Sequence, residues 1–197
     1  QYLQLDRHTR RNLEIHQNIR GGKEFTLLNL LDKTKTPMGS RLLSRWLLNP
    51  LRDHQAIHAR YQKTEDILMS INIEKLQDLL KNIGDMERIL SRIGLLSARP
   101  RDLLRLRIAL QTIPEIQAQL SFPNNCDSFH YFQLNCHTEI TQLLEKSLED
   151  NPPMNIREGG IIREGFDAEL DELRKMSLGY DELLQSIEAR EQARTQL

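Results

Sequence analysis

The sequence predicts a mainly α-helical fold that ends in a long C-terminal helix, and three observations carry this prediction. The 197 residues include no valine, while leucine and isoleucine are abundant, and this balance favours helix over strand. Only 9 glycines and 7 prolines are present, too few for the closely spaced turns of an all-β chain. Apolar residues recur at intervals of three and four along most of the chain, as in helices buried on one face.

The N-terminal segment departs from this pattern. Residues 2–6 alternate apolar and polar side chains and predict a short β element. Gly21-Gly22 marks a turn, and a leucine-rich block follows at 27–31. Thr36-Pro37 then predicts a helix start, because the threonine hydroxyl can cap free backbone amides and proline suits the first helical position. That helix is expected to end at Asn49-Pro50.

Polar caps and prolines divide the middle of the chain into four further helices. Asp53 and Asp85 stand where a carboxylate would cap a helix, and a shorter helix is expected over residues 73–82. Pro100 starts another helix, and Pro114 begins its last turn or two. The buried stripe expected after Asp85 consists of Met86, Ile89, Leu90, Ile93 and Leu96.

The following third is less regular. Residues 121–129 predict a loop, and residues 130–146 predict a helix that the break at 151–153 ends. The inward side chains of that helix are expected to be Ile140, Leu143 and Leu144. Residues 155–166 are punctuated by glycine and predict an extended excursion, with a possible hairpin turning at Gly159-Gly160.

Residues 167–197 predict the longest helix, of roughly 40 Å at the usual rise per residue. It has no stop signal, and residue 1 is Gln rather than Met, so we expect a piece of a longer protein. Its apolar stripe is then expected to pack on partners outside these residues. The packing residues expected on this long helix are Leu170, Leu173, Tyr180, Leu183, Leu184 and Ile187.

The net charge of −1 hides an uneven distribution. Residues 1–138 hold 20 Lys and Arg against 14 Asp and Glu, and residues 139–197 hold 7 against 14. This asymmetry permits a half that faces nucleic acid or an attraction between the two halves. The absence of a long apolar run excludes a membrane span, and the two cysteines suit a reduced, cytoplasmic setting.

Few residues suggest chemistry. The sequence has neither a phosphate-binding glycine loop nor a serine nucleophile elbow. The zinc-type side chains are Cys126, His130, Cys136 and His137. Their spacing matches no common zinc module, so we expect no metal and no catalytic residue, and a zinc enzyme remains a minor alternative.

The arginines form the most suggestive polar set. Arg88 and Arg92 stand four residues apart, and so do Arg101 and Arg105, which suits either phosphate contact or a solvated, salt-bridging face. No aromatic residue between Tyr61 and Phe122 could stack on bases. The candidate DNA-backbone residues are Arg88, Arg92, Arg99, Arg101, Arg105 and Arg107.

Several sequence blocks, taken together, indicate a family. They are TRRNLEI at 9–15, TPMGSRLL at 36–43, GDMERIL at 84–90, ARPRDL at 98–103, IREGGII at 156–162 and LDELR at 170–174. In order and spacing these blocks resemble the core domain of the MutS family of bacterial DNA mismatch repair proteins. The resemblance covers nearly the whole chain, so residues 1–197 are expected to form a single MutS core (lever) domain that ends in the ascending lever helix 167–197.

The resemblance implies a role and a set of partners. In MutS proteins an N-terminal domain reads the mismatch, and the core rises through a lever helix to a clamp that grips DNA. A second lever returns to a C-terminal ATPase. This chain has no Phe-x-Glu mismatch motif, no clamp and no Walker motifs, so we expect no enzyme activity and no cofactor here. ATP and magnesium are implied for the complete protein.

The implied partners are the other MutS domains, a second MutS subunit and mismatched duplex DNA. We therefore expect a structural core and lever segment that couples the ATPase to the DNA clamp. The alternative is a helical module that binds the DNA backbone directly through the Arg88–Arg107 segment.

Overall fold

The computed structural model describes residues 2–120 and 134–195, and helices account for most of them. The helices are α1 (Arg7–Asn12), α2 (Leu27–Leu31), α3 (Pro37–Leu48), α4 (His54–Ser70), α5 (Ile73–Lys81), α6 (Met86–Gly94), α7 (Pro100–Leu120), α8 (Thr138–Ser147) and α9 (Ala168–Thr195). A 3-10 turn over Ile156–Glu158 separates α8 from α9. The predicted mainly α fold is confirmed.

The predicted caps at the starts of three helices are confirmed. Thr36, Asp53 and Asp85 precede α3, α4 and α6, and each side-chain oxygen accepts a hydrogen bond from a first-turn backbone N–H at 3.0–3.3 Å. These bonds satisfy amides that have no partner within the helix itself. The sequence therefore sets these boundaries through local chemistry.

The predicted β element at residues 2–6 is not formed. Tyr2 makes a single antiparallel bridge with Leu51, and Leu3 donates its backbone N–H to the carbonyl of Pro50 at 2.7 Å. The pairing ends there, because a few residues later Asp6 caps α1 in one of the two paired segments and Asp53 caps α4 in the other. The sequence pattern did not predict α1.

The hairpin predicted within residues 155–166 is also wrong. Its first part is the 3-10 turn, and Ile162 forms a bridge with Leu148 at the end of α8 instead. Two backbone hydrogen bonds of 2.8 and 3.0 Å flank this bridge. Ile162 therefore pairs with Leu148 at the end of α8, and not with a second strand of a hairpin.

Helix α8 is shorter than predicted. It begins at Thr138, directly after His137, whose φ of 42° lies in the left-handed region. Leu144 is buried as expected, whereas Ile140 and Leu143 are exposed, because α8 presents a narrow face to α7. The predicted part of the helix at 130–133, like the predicted loop at 121–129, lies outside the described residues.

The core lies where α6, α7 and α8 meet. Its buried side chains are Ile89, Leu106, Leu110, Leu144 and Leu148. Partly buried residues pack around them, among them Ile161 from the segment after the 3-10 turn. Helix α5 also contacts α7, so the 21-residue α7 is the central element of the domain.

The stripe predicted for α6 is correct for three residues and wrong for two. Met86, Ile89 and Ile93 face the core, but the exposed fraction of Leu90 is 56% and that of Leu96 is 97%. Leu90 points away because it lies about 100° around the helix from Ile89. Leu96 falls beyond the helix end with a φ of 53°. The sequence therefore predicted a wider buried face on α6 than the structure shows.

Two long helices continue through residues that often interrupt them. Pro114 lies inside α7, where the sequence predicts a fresh last turn. Gly179 lies inside the 28-residue α9, and a Cβ added there would meet no atom within 4 Å. The predicted long C-terminal helix is confirmed. Among the described helices, none is both long and apolar enough to cross a membrane.

Candidate functional site

The apolar face predicted for lever packing lies on the surface of α9. Leu170, near its start, is half-buried. The exposed fractions range from 40 to 64% for Leu173, Met176, Tyr180, Leu184 and Ile187. The side chain of Leu183 lies outside the described residues. Burial of these side chains would need a partner that the described residues do not supply.

The base of α9 is tied to the segment that precedes it. The carboxylate of Asp171 accepts a hydrogen bond from the backbone N–H of Gly165 at 2.7 Å, and Arg174 donates to the carbonyl oxygen of Ile162 at 2.7 Å. Arg174 also pairs with Asp171 at 3.1 Å. These contacts fix the first two turns of α9 on the strand that bridges to α8.

The arginine set predicted for the DNA backbone is divided by the fold. Arg92 makes two hydrogen bonds of 2.8 and 2.6 Å to Asp102, and these join α6 to the start of α7. Arg107 is buried, donates to the carbonyl oxygen of Leu148 at 3.1 Å, and reaches Asp150 at 3.1 Å. Both guanidinium groups therefore hold helices together.

The other members of the set lie on the surface. Arg88 is exposed and makes one ion pair of 3.3 Å with Asp85. Arg99, Arg101 and Arg105 are exposed, and the last two stand one turn apart on α7. These exposed residues are accessible to a phosphate, so they are the part of the predicted set that remains available for contact with DNA.

Arg41 is a central residue that the sequence pattern did not identify. Its guanidinium binds both oxygens of Asp85 at 2.7 and 2.8 Å and one oxygen of Glu87 at 2.6 Å. The hydrogen bonds from Arg41 lower the pKa of Asp85 from its ordinary 3.8 to about 2. Helix α3 is thereby fixed to the first turn of α6 by charge-assisted bonds across 44 residues.

A second junction orients the start of α3. The carboxylate of Asp32 accepts hydrogen bonds from the hydroxyls of Ser40 at 2.5 Å and Thr34 at 2.6 Å. These bonds, from Ser40 first and then Thr34, lower the pKa of Asp32. The loop between α2 and α3 is therefore held by its own side chains.

Asp150 joins the core to the segment before α9. One of its carboxylate oxygens accepts from Arg107 of α7 at 3.1 Å and from Arg163 at 2.8 Å. Ion pairs thus run from α3 to α6, from α6 to α7, and from α7 to the strand on which α9 stands. The sequence contains every one of these residues, but no local pattern predicts which arginine pairs with which carboxylate.

The zinc-type residues do not form a described cluster. Cys126 and His130 lie outside the described residues. The thiol of Cys136 donates to the side-chain oxygen of Gln117 at 3.2 Å. Within residues 2–120 and 134–195, no group of three or more His, Cys, Asp and Glu is placed to hold a metal ion.

A family model described as MutS domain III matches residues 8–196. The chain belongs to the MutS domain III family. It therefore has a role in DNA mismatch repair as part of a MutS protein. In this MutS domain III, the blocks at 36–43 and 84–90 supply the caps of α3 and α6 and the Arg41–Asp85 pair, and the block at 98–103 supplies Asp102, the partner of Arg92.

Proposed function

We propose that this domain couples the ATPase of a MutS protein to its DNA clamp, with α9 as the lever. The observation that carries the proposal is the contrast along α9. Its first two turns are tied down through Asp171 and Arg174, whereas apolar side chains from Leu173 to Ile187 remain exposed. A long helix held at its base and free to pack along its length suits a lever.

The ion pairs support this proposal by making a continuous path. They link α3 to α6 through Arg41 and α6 to α7 through Arg92. Asp150 then pairs with both Arg107 of α7 and Arg163 of the segment before α9. Each joins a half-buried or buried guanidinium to a carboxylate, and the core between them is close-packed apolar. Elements joined in this way are expected to shift together as bodies rather than to deform.

The lever role implies that ATP hydrolysis and DNA binding belong to other domains of the protein. The proposed role assigns no catalytic residue to this domain, and it assigns ATP with magnesium to the ATPase domain of the same protein. DNA is gripped by the clamp that α9 supports, and a second subunit completes the grip. The protein works in the cytoplasm, where its two cysteines stay reduced.

The decisive experiment breaks α9 in the intact MutS protein. Leu183→Pro removes a backbone donor and clashes with the preceding turn, at a cost of about 3 kcal/mol within a helix. We expect mismatch binding and basal ATP hydrolysis to survive while ATP-triggered release from a mismatched duplex slows strongly. The measurement is the dissociation rate after ATP addition.

Leu183→Ala is the matched control, since it trims the same side chain and keeps the helix. It is expected to lose far less coupling than the proline variant. Equal release rates for the two variants would rule out a lever that acts through an unbroken α9.

The competing function is direct contact with the DNA backbone through the exposed arginines of the 88–107 segment. It is tested by titrating the 197-residue chain with duplex DNA at about 50 and about 150 mM salt. Tight, steeply salt-dependent binding that Arg101→Gln with Arg105→Gln abolishes would favour this function. Negligible binding favours the core and lever role.

A further inference from the structure

A basic cleft lies at the opposite end of the chain from α9. Helix α1 and the turn before α2 enclose about 870 Å³, within the size range of small-molecule sites. The charged lining consists of Arg7, Arg10, Arg11 and Arg20, together with His8 and His16. None of the lining residues that the structure describes is Asp or Glu. Neither the lever role nor the Arg88–Arg107 set makes use of this cleft.

The two walls of the cleft are built by local structure. Three arginines of α1 stand at relative positions i, i+3 and i+4, so they share one face of the helix. The facing turn is fixed by Gln17, which donates to the carbonyl of Gly21 at 2.9 Å, and by Asn18, which accepts from the N–H of Gly22 at 2.8 Å. Gly21 has a φ of 88°, which a glycine adopts without strain. The turn that faces these arginines is therefore fixed by its own hydrogen bonds.

The nearby carboxylates are used for other contacts. Asp6 accepts the backbone N–H of Thr9 at 2.6 Å and caps α1. Glu14 accepts the backbone N–H of Ile19 at 2.8 Å. Both carboxylates keep their negative charge, but among the described residues neither forms an ion pair with an arginine of the lining.

Arg10 is the least exposed arginine of the lining. Its Nε is buried without a hydrogen-bond partner, so a ligand in the cleft reaches the guanidinium only through its other nitrogens. Its partly buried position restricts the side chain more than those of the exposed Arg7, Arg11 and Arg20.

We propose that the cleft binds a phosphate group, carried by a nucleotide or by a nucleic-acid backbone. Guanidinium forks match phosphate oxygens, and a phosphate offers at least two acceptor oxygens and up to two negative charges. A single carboxylate would neutralise one of four arginines and leave the others repelling each other. The number of arginines therefore favours phosphate over a carboxylate ligand.

The proposal is tested by calorimetric titration of the 197-residue chain with inorganic pyrophosphate in low salt. We expect saturable binding at one site. Arg10→Gln is expected to weaken that binding about tenfold or more, because it removes a charge-assisted hydrogen bond. Arg7→Gln with Arg20→Gln, both exposed, provides a second variant that leaves the buried Nε untouched.

Arg190→Gln is the matched control, since Arg190 is an exposed arginine on α9. It is expected to bind pyrophosphate as the original chain does. Circular dichroism establishes that each variant is folded. The proposal is overturned if pyrophosphate shows no saturable binding, or if Arg190→Gln weakens binding as much as the cleft variants do.

Competition against bound pyrophosphate identifies the source of the phosphate. Displacement by ATP assigns the cleft to nucleotides, and displacement by a short duplex assigns it to the phosphodiester backbone. Pyrophosphate binding that neither competitor displaces assigns it to free phosphate species. All three outcomes support phosphate recognition by the cleft, and they differ in the ligand that carries it.

Discussion

Asp85 serves two purposes at the start of α6. One oxygen caps the helix by accepting the N–H of Arg88 at 3.3 Å, and both oxygens bind the guanidinium of Arg41. The side chain is only 19% exposed, so water screens the pair less than it screens pairs on the open surface. A single residue thus sets both where α6 begins and which helix lies beside it.

Asp85→Asn separates these two purposes, because asparagine still caps a helix but carries no charge. The Arg41 bonds lower the pKa of Asp85 to about 2, so its contribution to stability is complete above pH 4 and fades as the pH falls toward 2. We expect the variant to lose about 1–2 kcal/mol of unfolding free energy at pH 7. The difference should shrink steadily in urea unfolding curves taken at falling pH.

Asp78→Asn is the control at this scale. Asp78 pairs with Lys81 on the same helix, and both side chains are more than half exposed. Removing such an exposed pair is expected to change stability very little, because water and salt screen the two charges. If both variants lost equal stability at neutral pH, the Arg41–Asp85 pair would contribute no more to the unfolding free energy than an exposed surface pair does.

At the scale of elements, the sequence predicted what depends on neighbours along the chain. The caps at Thr36, Asp53 and Asp85 and the long helix α9 follow from local hydrogen bonding and periodicity. The sequence did not predict contacts between residues that are far apart along the chain. Arg41 meets Asp85 and Arg107 meets Leu148 only because α3, α6, α7 and α8 pack in one particular arrangement, which no spacing rule encodes.

The arginines of the 88–107 segment show the same limit of prediction from sequence. An arginine cluster looks uniform in sequence, but burial assigns Arg92 and Arg107 to helix junctions and leaves Arg101 and Arg105 at the surface. The β element at residues 2–6 failed because alternation alone does not supply a partner strand.

The face of α6 gives a direct test of packing. Ile89 is 1% exposed in the core, whereas Leu90, the next residue, is 56% exposed. Ile89→Ala should lower the unfolding free energy by about 2–4 kcal/mol through lost burial and the cavity left behind. Leu90→Ala should change it by less than about 0.5 kcal/mol. Denaturant titrations of both variants measure the difference, and similar losses would contradict the observed rotation of α6.

At the scale of the whole molecule, α9 carries an apolar face that the described residues leave uncovered. Leu173, Met176, Tyr180 and Ile187 follow the three-and-four spacing of a coiled-coil seam. Exposed faces of this kind commonly associate in water. The 197-residue chain is therefore expected to pair through α9 as its concentration rises.

Tyr180→Lys should abolish this association, because it places a charge in the middle of the seam. Gln185→Lys adds the same charge on the outer face of α9, where Gln185 is exposed, and should leave pairing intact. Sedimentation equilibrium over a range of concentrations compares the two. A chain that stays monomeric throughout would show that the exposed face has no affinity for its own copy.

The attachment of α9 at its base also has a kinematic consequence. Its 28 residues extend about 42 Å, and Asp171 and Arg174 secure its first two turns. A tilt of about 5° at the first residue carries the far end through about 3.7 Å, at the α-helical rise of about 1.5 Å per residue. Arg174 lies about 9 Å from the first residue and would move by about 0.8 Å over the same tilt, about one fifth as far. In the proposed lever role, the length of α9 sets the displacement of its far end, so inserting or deleting whole turns would change that displacement without altering the contacts of Asp171 and Arg174.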